Sequence, residues 1–214
     1  GWFALGAARF QPVEMAKIVL LIILARFFSL RGSTLSWYSL GISAAITATL
    51  VVPVLLQPDT GSAALLLGLW GAFVLLSASR KQLFIIGVTG IMAVMIFGIL
   101  LIKPYQRERL LTFLSPQNDP LGSSYNITQA LTAVGAGGLT GAGLGKGVVT
   151  SLHFLPEQET DFIVAVMAES FGFIGISVLL ITLMALLFLL IRRARTMQER
   201  YGSLLYLGFA ALIA

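Results

Sequence analysis

The chain has 214 residues, of which 57% are hydrophobic and 11% are charged, and its mean hydropathy is +0.94. This composition is typical of integral membrane proteins and excludes an ordinary soluble domain. With no cysteine and one histidine, the chain cannot by itself build disulfides, thiolate sites or multi-histidine metal sites. Its net charge of +5 is carried largely by loops between apolar segments, which favours membrane topology over nucleic-acid binding.

Apolar segments of sufficient length to cross a bilayer, about 20 helical residues, follow one another along the chain. We predict an all-α polytopic bundle forming a single membrane domain, with helices at about 13–30, 37–56, 62–79, 83–102, 162–191 and 203–214. The fifth helix exceeds the minimum length and is expected to tilt or project. We expect residues 103–161 to form a large loop. Gly1 is not an initiator Met and Ala214 ends an apolar run, so we expect an internal piece of a longer protein.

Basic residues predict which loops face the cytoplasm, where Lys and Arg are enriched. The loops after the first, third and fifth predicted helices carry Arg26, Arg31, Arg80, Lys81, Arg192, Arg193, Arg195 and Arg200. The opposite side then holds the segment 9–17, the turn 57–59 and the loop 103–161. ATP is not available there in most cells, so any chemistry must draw its energy from the substrate.

One polar cluster lies at the start of the first predicted helix, and another lies in the turn between the second and third. Arg9, Glu14 and Lys17 surround the start of the first helix, and Glu14 can pair with Lys17 three residues later. Snorkelling to the interface explains Arg9 and Lys17 but not Glu14. The sequence QPDTG at Gln57–Gly61 predicts a tight turn, and on local sequence alone a structural role is favoured for it.

The glycine-rich stretch 135–147, GAGGLTGAGLGKG, superficially suggests a phosphate-binding loop. Thr140 and Gly147 stand where that motif requires Gly and Ser or Thr, so the motif is rejected. The glycines favour tight turns in a re-entrant or surface-lying loop, and Lys146 there is a candidate ligand for an anionic head group. His153 is most simply a hydrogen-bonding loop residue.

The segment Phe154–Phe162 places three of the nine carboxylates within five residues, directly before a long apolar helix. Asp161 follows Glu157 by four residues, so a helical turn would put both on one face. On spacing alone, helix capping by Thr160 or Asp161 is favoured over a functional role. Glu169, two turns deeper, either lines a cavity or forms a structural hydrogen bond to another helix.

Five segments, in this order, resemble the SEDS family of membrane proteins, to which RodA and FtsW belong. They are RFQPVEMAK (Arg9–Lys17), QPDTG, YQRERL…DPLGSSYNITQ (Tyr105–Gln129), the glycine-rich stretch and FLPEQETDFIVAVMAESFGFIG (Phe154–Gly175). The last is highly specific, and the five cover essentially the whole chain. Tyr105–Gln129 is somewhat closer to RodA. Val13 and Ser170 depart from the family pattern, in which Ser and a second Glu are usual.

The resemblance implies part of a ten-helix peptidoglycan glycosyltransferase, roughly helices four to eight and part of nine. Such enzymes polymerise lipid II outside the bacterial cytoplasmic membrane, in elongation or division, with a class B penicillin-binding protein, a transpeptidase, as partner. The resemblance raises Asp161 from a helix cap to the expected catalytic base. One carboxylate suffices, in contrast to glycoside hydrolysis, because the lipid diphosphate is already a good leaving group.

The remaining expected site residues would contact lipid II or its diphosphate: Arg9, Glu14, Lys17, Gln57, Asp59, Gln129, Lys146 and Glu157. No cofactor is certain, and acids such as Glu14 or Asp59 are candidates to hold a divalent cation, Mg²⁺ or Mn²⁺. Two alternatives stay open at this point. They are a flippase or transporter for polyprenyl-linked lipids, and a non-catalytic scaffold for the transpeptidase.

Overall fold

A computed structural model describes residues 3–5, 8–31, 35–57, 59–101, 125–147 and 162–214. Two short strands, β1 (Phe3–Leu5) and β2 (Ala8–Phe10), pair antiparallel. The helices in these ranges are α1 (Pro12–Ser29), α2 (Trp37–Leu56), α3 (Thr60–Ser77), α4 (Arg80–Leu101), α5 (Tyr125–Gly137), α6 (Ile163–Thr196) and α7 (Arg200–Ile213). Apart from the small hairpin the described chain is helical, which confirms the all-α class.

The described helices lie within a few residues of the predicted apolar segments, with one addition. Helix α5 falls inside the segment 103–161, for which the sequence predicted only a loop. Among the described residues, α2, α3 and α6 are long and apolar enough to cross a membrane. Whether all six predicted segments cross it, and on which side each loop lies, stay predictions.

The chain divides into two compact units. Unit 1 comprises Gly1–Ile91 and Leu186–Ala214, and unit 2 comprises Met92–Ala185. The division falls within helices α4 and α6, so each of these helices contributes to both units. Whether the chain behaves as a single membrane domain stays a prediction.

The core of unit 1 is formed by α1, α2, α3 and α7. Helix α1 contributes a fully buried stripe at helical spacing that includes Leu20, Leu24 and Phe28. The ring of Phe28 stacks on that of Phe73 of α3, with centroids 5.8 Å apart. Gly208 of α7 lies against this pair, because a Cβ at that position would come within 2.8 Å of the Phe73 ring. A small residue therefore allows α7 to approach α1 and α3 closely.

Polar side chains also tie the helices of unit 1 together. The Trp70 indole N–H of α3 donates to the Ser43 hydroxyl of α2 at 3.0 Å, which satisfies a polar group inside an apolar bundle. The Gln82 amide of α4 donates to the carbonyl of Leu35, just before α2, at 2.6 Å. Such bonds fix how the helices meet, since apolar contact alone gives little preference when lipid is the surrounding medium.

Candidate functional site

The beginning of α1, the end of α2 and the turn before α3 surround a cleft of about 160 Å³ in unit 1. We call it the Gln-Pro cleft. Its walls are formed by Gln11, Pro12, Val13, Ala16, Leu50, Pro53, Val54, Gln57 and Asp59. Two motifs that are distant in the sequence, RFQPVEMAK and QPDTG, therefore meet at one place. The walls are mainly apolar, and polar groups from both motifs stand among them.

Local chain geometry explains why these segments end where they do. Gln11 has extended backbone angles and Pro12 occupies the first turn of α1, where its missing N–H costs nothing. At the end of α2, the amides of Gln57 and Asp59 both donate to the Val54 carbonyl, at 3.1 and 3.3 Å. This tight turn reverses the chain and leaves Asp59 as the N-cap of α3. The predicted turn is confirmed at the described residues Gln57 and Asp59.

The predicted ion pair between Glu14 and Lys17 is present, with 2.7 Å between Lys17 Nζ and Glu14 Oε2. The Lys17 side chain is only 14% exposed, whereas that of Glu14 is 58% exposed. Lys17 follows Val13, a wall residue of the cleft, by one helical turn, so its charge is held beside the cleft with little access to solvent. Snorkelling to the interface alone does not describe a cation so placed.

Asp59 accepts two hydrogen bonds from one residue, Ser62. The Ser62 amide donates to Oδ1 at 3.0 Å, and its hydroxyl donates to Oδ2 at 2.6 Å. The bond from the Ser62 hydroxyl, then that from its amide, holds the pKa of Asp59 below its usual range, with a smaller contribution from the charge of Lys17. Asp59 is therefore an ionised helix cap at neutral pH.

The two acids near the cleft, Glu14 and Asp59, both have partners within the protein. Glu14 is engaged with Lys17, and both oxygens of Asp59 accept from Ser62. Within the described ranges, no three Asp, Glu or His side chains gather closely enough to ligate an ion. That Glu14 or Asp59 takes part in holding a divalent cation stays a prediction.

In unit 2, helix α6 is interrupted at Gly172, whose backbone angles of φ 65° and ψ −165° are open only to glycine. Two helical segments, one on each side of Gly172, are thereby separated. The turn after α5 inserts its backbone at this break. The amides of Ala142 and Gly143 donate to the carbonyls of Glu169 and Ser170, at 2.9 and 3.0 Å.

The exchange of hydrogen bonds is reciprocal. The amides of Phe173 and Ile174 donate to the carbonyls of Gly138 and Leu139, at 2.9 and 3.1 Å. In an unbroken helix these two amides would donate to Glu169 and Ser170. The inserted turn therefore supplies hydrogen-bond partners for the two carbonyls and two amides of α6 that lose their helical partners at the interruption. Such partners are required wherever a backbone departs from helix in an apolar medium.

Glycines make this insertion possible by removing side chains where two backbones touch. A Cβ at Gly137 would collide with the Ala168 carbonyl, and one at Gly141 would collide with the Ser170 carbonyl. Gly141 also has a φ of 81°, which side-chain-bearing residues rarely adopt. The predicted loop with tight glycine turns is found here, although Gly135 and Gly137 belong to α5.

Glu169 is completely buried, and its carboxyl group packs against Gly147 so closely that a Cβ there would collide with it. Gly147 follows Lys146, whose amide donates to the Gly143 carbonyl at 3.2 Å and whose side chain is exposed. Gln129 is half-buried in α5. The structure thus places the short turn that carries Lys146 against Glu169 of α6, a proximity that sequence spacing did not indicate.

The other predicted site residues are described in part or not at all. Arg9 is part of β2, where it pairs with Ala4 across the hairpin. Asp161, Glu157 and His153 lie outside the described residues, so the predicted face shared by Asp161 and Glu157 stays a prediction. The described part of this region starts at Phe162, whose carbonyl accepts from the Val166 amide at 3.1 Å.

A family model described as cell cycle protein, FtsW/RodA/SpoVE, matches residues 1–214. The chain belongs to this family. The probable peptidoglycan glycosyltransferase FtsW of Idiomarina loihiensis is 37% identical over 213 residues, covering 97% of this chain and 51% of that protein. The peptidoglycan glycosyltransferase MrdB of Escherichia coli K12 is 39% identical over 220 residues, covering 99% of this chain and 58% of that protein.

Two further similarities extend this relationship. Stage V sporulation protein E of Bacillus subtilis is 34% identical over 216 residues, covering 100% of this family member and 58% of that protein. A solved chain, from work on structural coordination of polymerization and crosslinking by a peptidoglycan synthase complex, has a TM-score of 0.74 at 30% identity. It covers 99% of this family member, which spans 58% of that chain.

The comparisons confirm the resemblance to the SEDS family drawn from the sequence motifs. Together with the three helices in the described ranges that are long and apolar enough to cross a membrane, family membership shows a membrane protein. The chain spans about half the length of the curated relatives it matches. The identities to the proteins named FtsW and MrdB are nearly equal, at 37% and 39%.

Proposed function

We propose that the chain forms part of a peptidoglycan glycosyltransferase that polymerises lipid II at the outer face of the bacterial cytoplasmic membrane. The observation that carries this proposal is the family match over residues 1–214, with relatives named peptidoglycan glycosyltransferase at 37% and 39% identity. The Gln-Pro cleft adds physical support, because its charged and amide groups come from two of the motifs that define the resemblance.

In the proposed reaction, the 4-hydroxyl of the acceptor GlcNAc attacks the anomeric carbon of the donor glycan. The bond from that carbon to the diphosphate oxygen breaks, and the polyprenyl diphosphate leaves with the electron pair. Asp161 accepts the proton of the attacking hydroxyl. A well-positioned general base contributes about 10²–10⁴-fold to the rate.

The diphosphate develops negative charge as it leaves, and fixed cations stabilise such charge best where water is scarce. Lys17, 14% exposed and held by Glu14, is the described cation that best fits this role. Arg9 and Lys146 stay the other candidate cations for this role. Asp59, Gln57, Gln129 and Glu157 would orient the sugars and phosphates, and the apolar cleft walls would accept part of a prenyl chain. A Mg²⁺ or Mn²⁺ ion would supply further charge stabilisation, but no step depends on it.

Replacement of the base tests the proposal directly. Asp161→Asn in the whole protein, purified with its transpeptidase, is expected to lower glycan synthesis from lipid II at least about 100-fold, because the amide cannot accept the proton. Glu159→Gln is the matched control, since it removes a charge from the same segment but not the assigned base. An Asp161→Asn protein that polymerises at the wild-type rate would contradict the assignment.

One observation favours a second candidate, translocation of polyprenyl-linked lipids. Transporters often build their sites where helices are discontinuous, and α6 is interrupted at Gly172 beside the buried Glu169. Reconstitution in liposomes distinguishes the two. Glycan polymer made from lipid II supports the transferase, lipid II movement between leaflets without polymer supports the transporter, and neither activity indicates a scaffold.

The partner in this proposal is a class B penicillin-binding protein, the transpeptidase that would crosslink the new strands. Support comes from the similarity to a chain of a peptidoglycan synthase complex, at a TM-score of 0.74. Co-purification with such a transpeptidase from detergent-solubilised membranes, compared with an unrelated membrane protein carrying the same tag, tests this part. Recovery equal to that of the unrelated protein would contradict it.

A further inference from the structure

We infer that the inserted glycine turn is a joint that positions catalytic groups of the proposed transferase, and that Glu169 is a positioning residue within it. We define the glycine joint as Gly137–Gly147 together with Glu169–Ile174. The inference rests on the proposed function, because it concerns the groups assigned there. Its evidence is the geometry of unit 2 alone.

The glycine joint is held by backbone hydrogen bonds on both sides. Glu169 and Ser170 each accept from the turn, and Phe173 and Ile174 each donate to it. Releasing the turn would deprive two amides and two carbonyls of the turn of these partners, which is costly wherever water does not replace them. The interruption of the helix and the insertion of the turn therefore depend on each other. The helix stays interrupted only while the turn is inserted, and the turn keeps these hydrogen bonds only while the helix is interrupted.

The joint also holds the short turn that carries Lys146. The carboxyl group of Glu169 packs against Gly147, and the Lys146 amide is bonded within the turn to Gly143. Gly143 is itself bonded to Ser170, so both ends of the short turn that carries Lys146 are held against the same stretch of α6. The exposed side chain of Lys146 thus projects from a fixed base.

The joint also bears on the position of Asp161, the proposed catalytic base. The helical segment from Ile163 to Phe171 ends at the break, and Asp161 precedes Ile163 by two residues in the sequence. The direction of this short segment is set at its far end by the bonds to Glu169 and Ser170. A displacement of about 1 Å at a reacting group can lower the rate about 100-fold. The joint can therefore affect the rate of catalysis without contacting the substrate.

The decisive variant is Gly172→Ala in the whole protein. Alanine disfavours the φ of 65° and favours a continuous helix, which expels the turn. We expect kcat for lipid II polymerisation to fall at least about tenfold, with KM changed less than about threefold, because the groups are misplaced rather than lost. Gly135→Ala is the control, since a Cβ there meets no atom within 4 Å. Full activity of correctly folded Gly172→Ala overturns the inference.

A milder pair of variants guards against failure of Gly172→Ala to fold. Gly147→Ala forces the Glu169 carboxyl to move, whereas Glu169→Asp withdraws it by one methylene. We expect Gly147→Ala to lower kcat about tenfold in the wild-type background and less than about threefold in the Glu169→Asp background, because neighbours in contact show coupled effects. Additive losses would show that the two residues do not act through their contact, and would overturn the role of Glu169.

Hydrogen exchange separates failure of the joint from failure of the proposed function. If the wild-type protein makes no polymer, the function is refuted but the joint is still testable. Slow exchange of the Ala142 and Gly143 amides in the wild type, with faster exchange in Gly172→Ala, supports the joint. Fast exchange of both amides in the wild type overturns it.

Discussion

The Gln-Pro cleft and the glycine joint solve the same problem, the fixing of polar groups in an apolar bundle, in different ways. At and beside the cleft, side chains are the groups that are held: Glu14 pairs with Lys17, and Ser62 bonds the Asp59 carboxylate through its hydroxyl and its amide. In the joint, backbone holds backbone, and glycines clear the space. A side-chain site should lose its function when a charge is removed, and a backbone site should fail when a methyl group is added.

The largest effect expected from this contrast is on activity at the cleft. Lys17→Ala should lower glycan synthesis about 100-fold or more, because a fixed cation that stabilises developing charge is removed. Thermal unfolding in detergent and synthesis from lipid II are measured together. Arg195→Ala, an exposed cation of α6, is the control. Losses of stability and activity that match in Lys17→Ala would show that the ion pair is purely structural.

The next effect is on stability at the joint. Gly141→Ala should destabilise the protein by about 1–3 kcal/mol, because alanine is strained at positive φ, and the new methyl group also collides with Ser170. Gly68→Ala, in α3 with no atom within 4 Å of the added Cβ, should leave the melting temperature nearly unchanged. Equal melting temperatures for the two variants would contradict the description of the joint as a backbone site.

The smallest effect concerns the cap at Asp59. Asp59→Ala should cost about 1 kcal/mol at neutral pH, the usual cost of losing an N-cap. Since the folded pKa is lowered, this contribution is present above the unfolded pKa of about 3.9 and is lost as pH falls through the folded value. Unfolding in detergent is compared between pH 7 and pH 3.

For this cap, the stability difference between wild type and Asp59→Ala should shrink as the carboxylate is protonated. Ser62→Ala should follow the same trend with a smaller loss, because its amide still donates to Asp59. A difference that grows on acidification would mean that Asp59 is not held ionised by Ser62.

The cleft was more accessible to sequence reasoning than the joint, and for a physical reason. A charged residue such as Glu14 in an apolar span has few purposes, so its pairing with Lys17 could be predicted from their three-residue spacing alone. Apolar runs of sufficient length likewise located most of the helices. What spacing could not give was the meeting of the two Gln-Pro motifs, since this depends on how α1 and α2 pack.

Sequence reasoning missed the joint because a glycine indicates only that a tight turn or a close approach is possible. It does not indicate which residue it contacts. The stretch 135–147 predicted turns, and Gly172 stood within an apolar run that matched an ordinary helix. Nothing in the local pattern links Gly147 to Glu169. The signal that was present is a pair of glycines, Gly172 and Gly175, enclosing two apolar residues in a segment that also carries an acid, Glu169.

The interruption at Gly172 also changes how α6 meets the thickness of the lipid layer. A rigid rod from Ile163 to Thr196 would be much longer than the hydrocarbon region, and the surrounding lipids would have to stretch or the rod would have to lean. Because the helix is interrupted at Gly172, the continuous helical stretch from Phe173 to Thr196 is far closer to the ~20 residues that a bilayer requires. The surplus length is taken up by a separate piece, and the lipids around it can keep their ordinary dimensions.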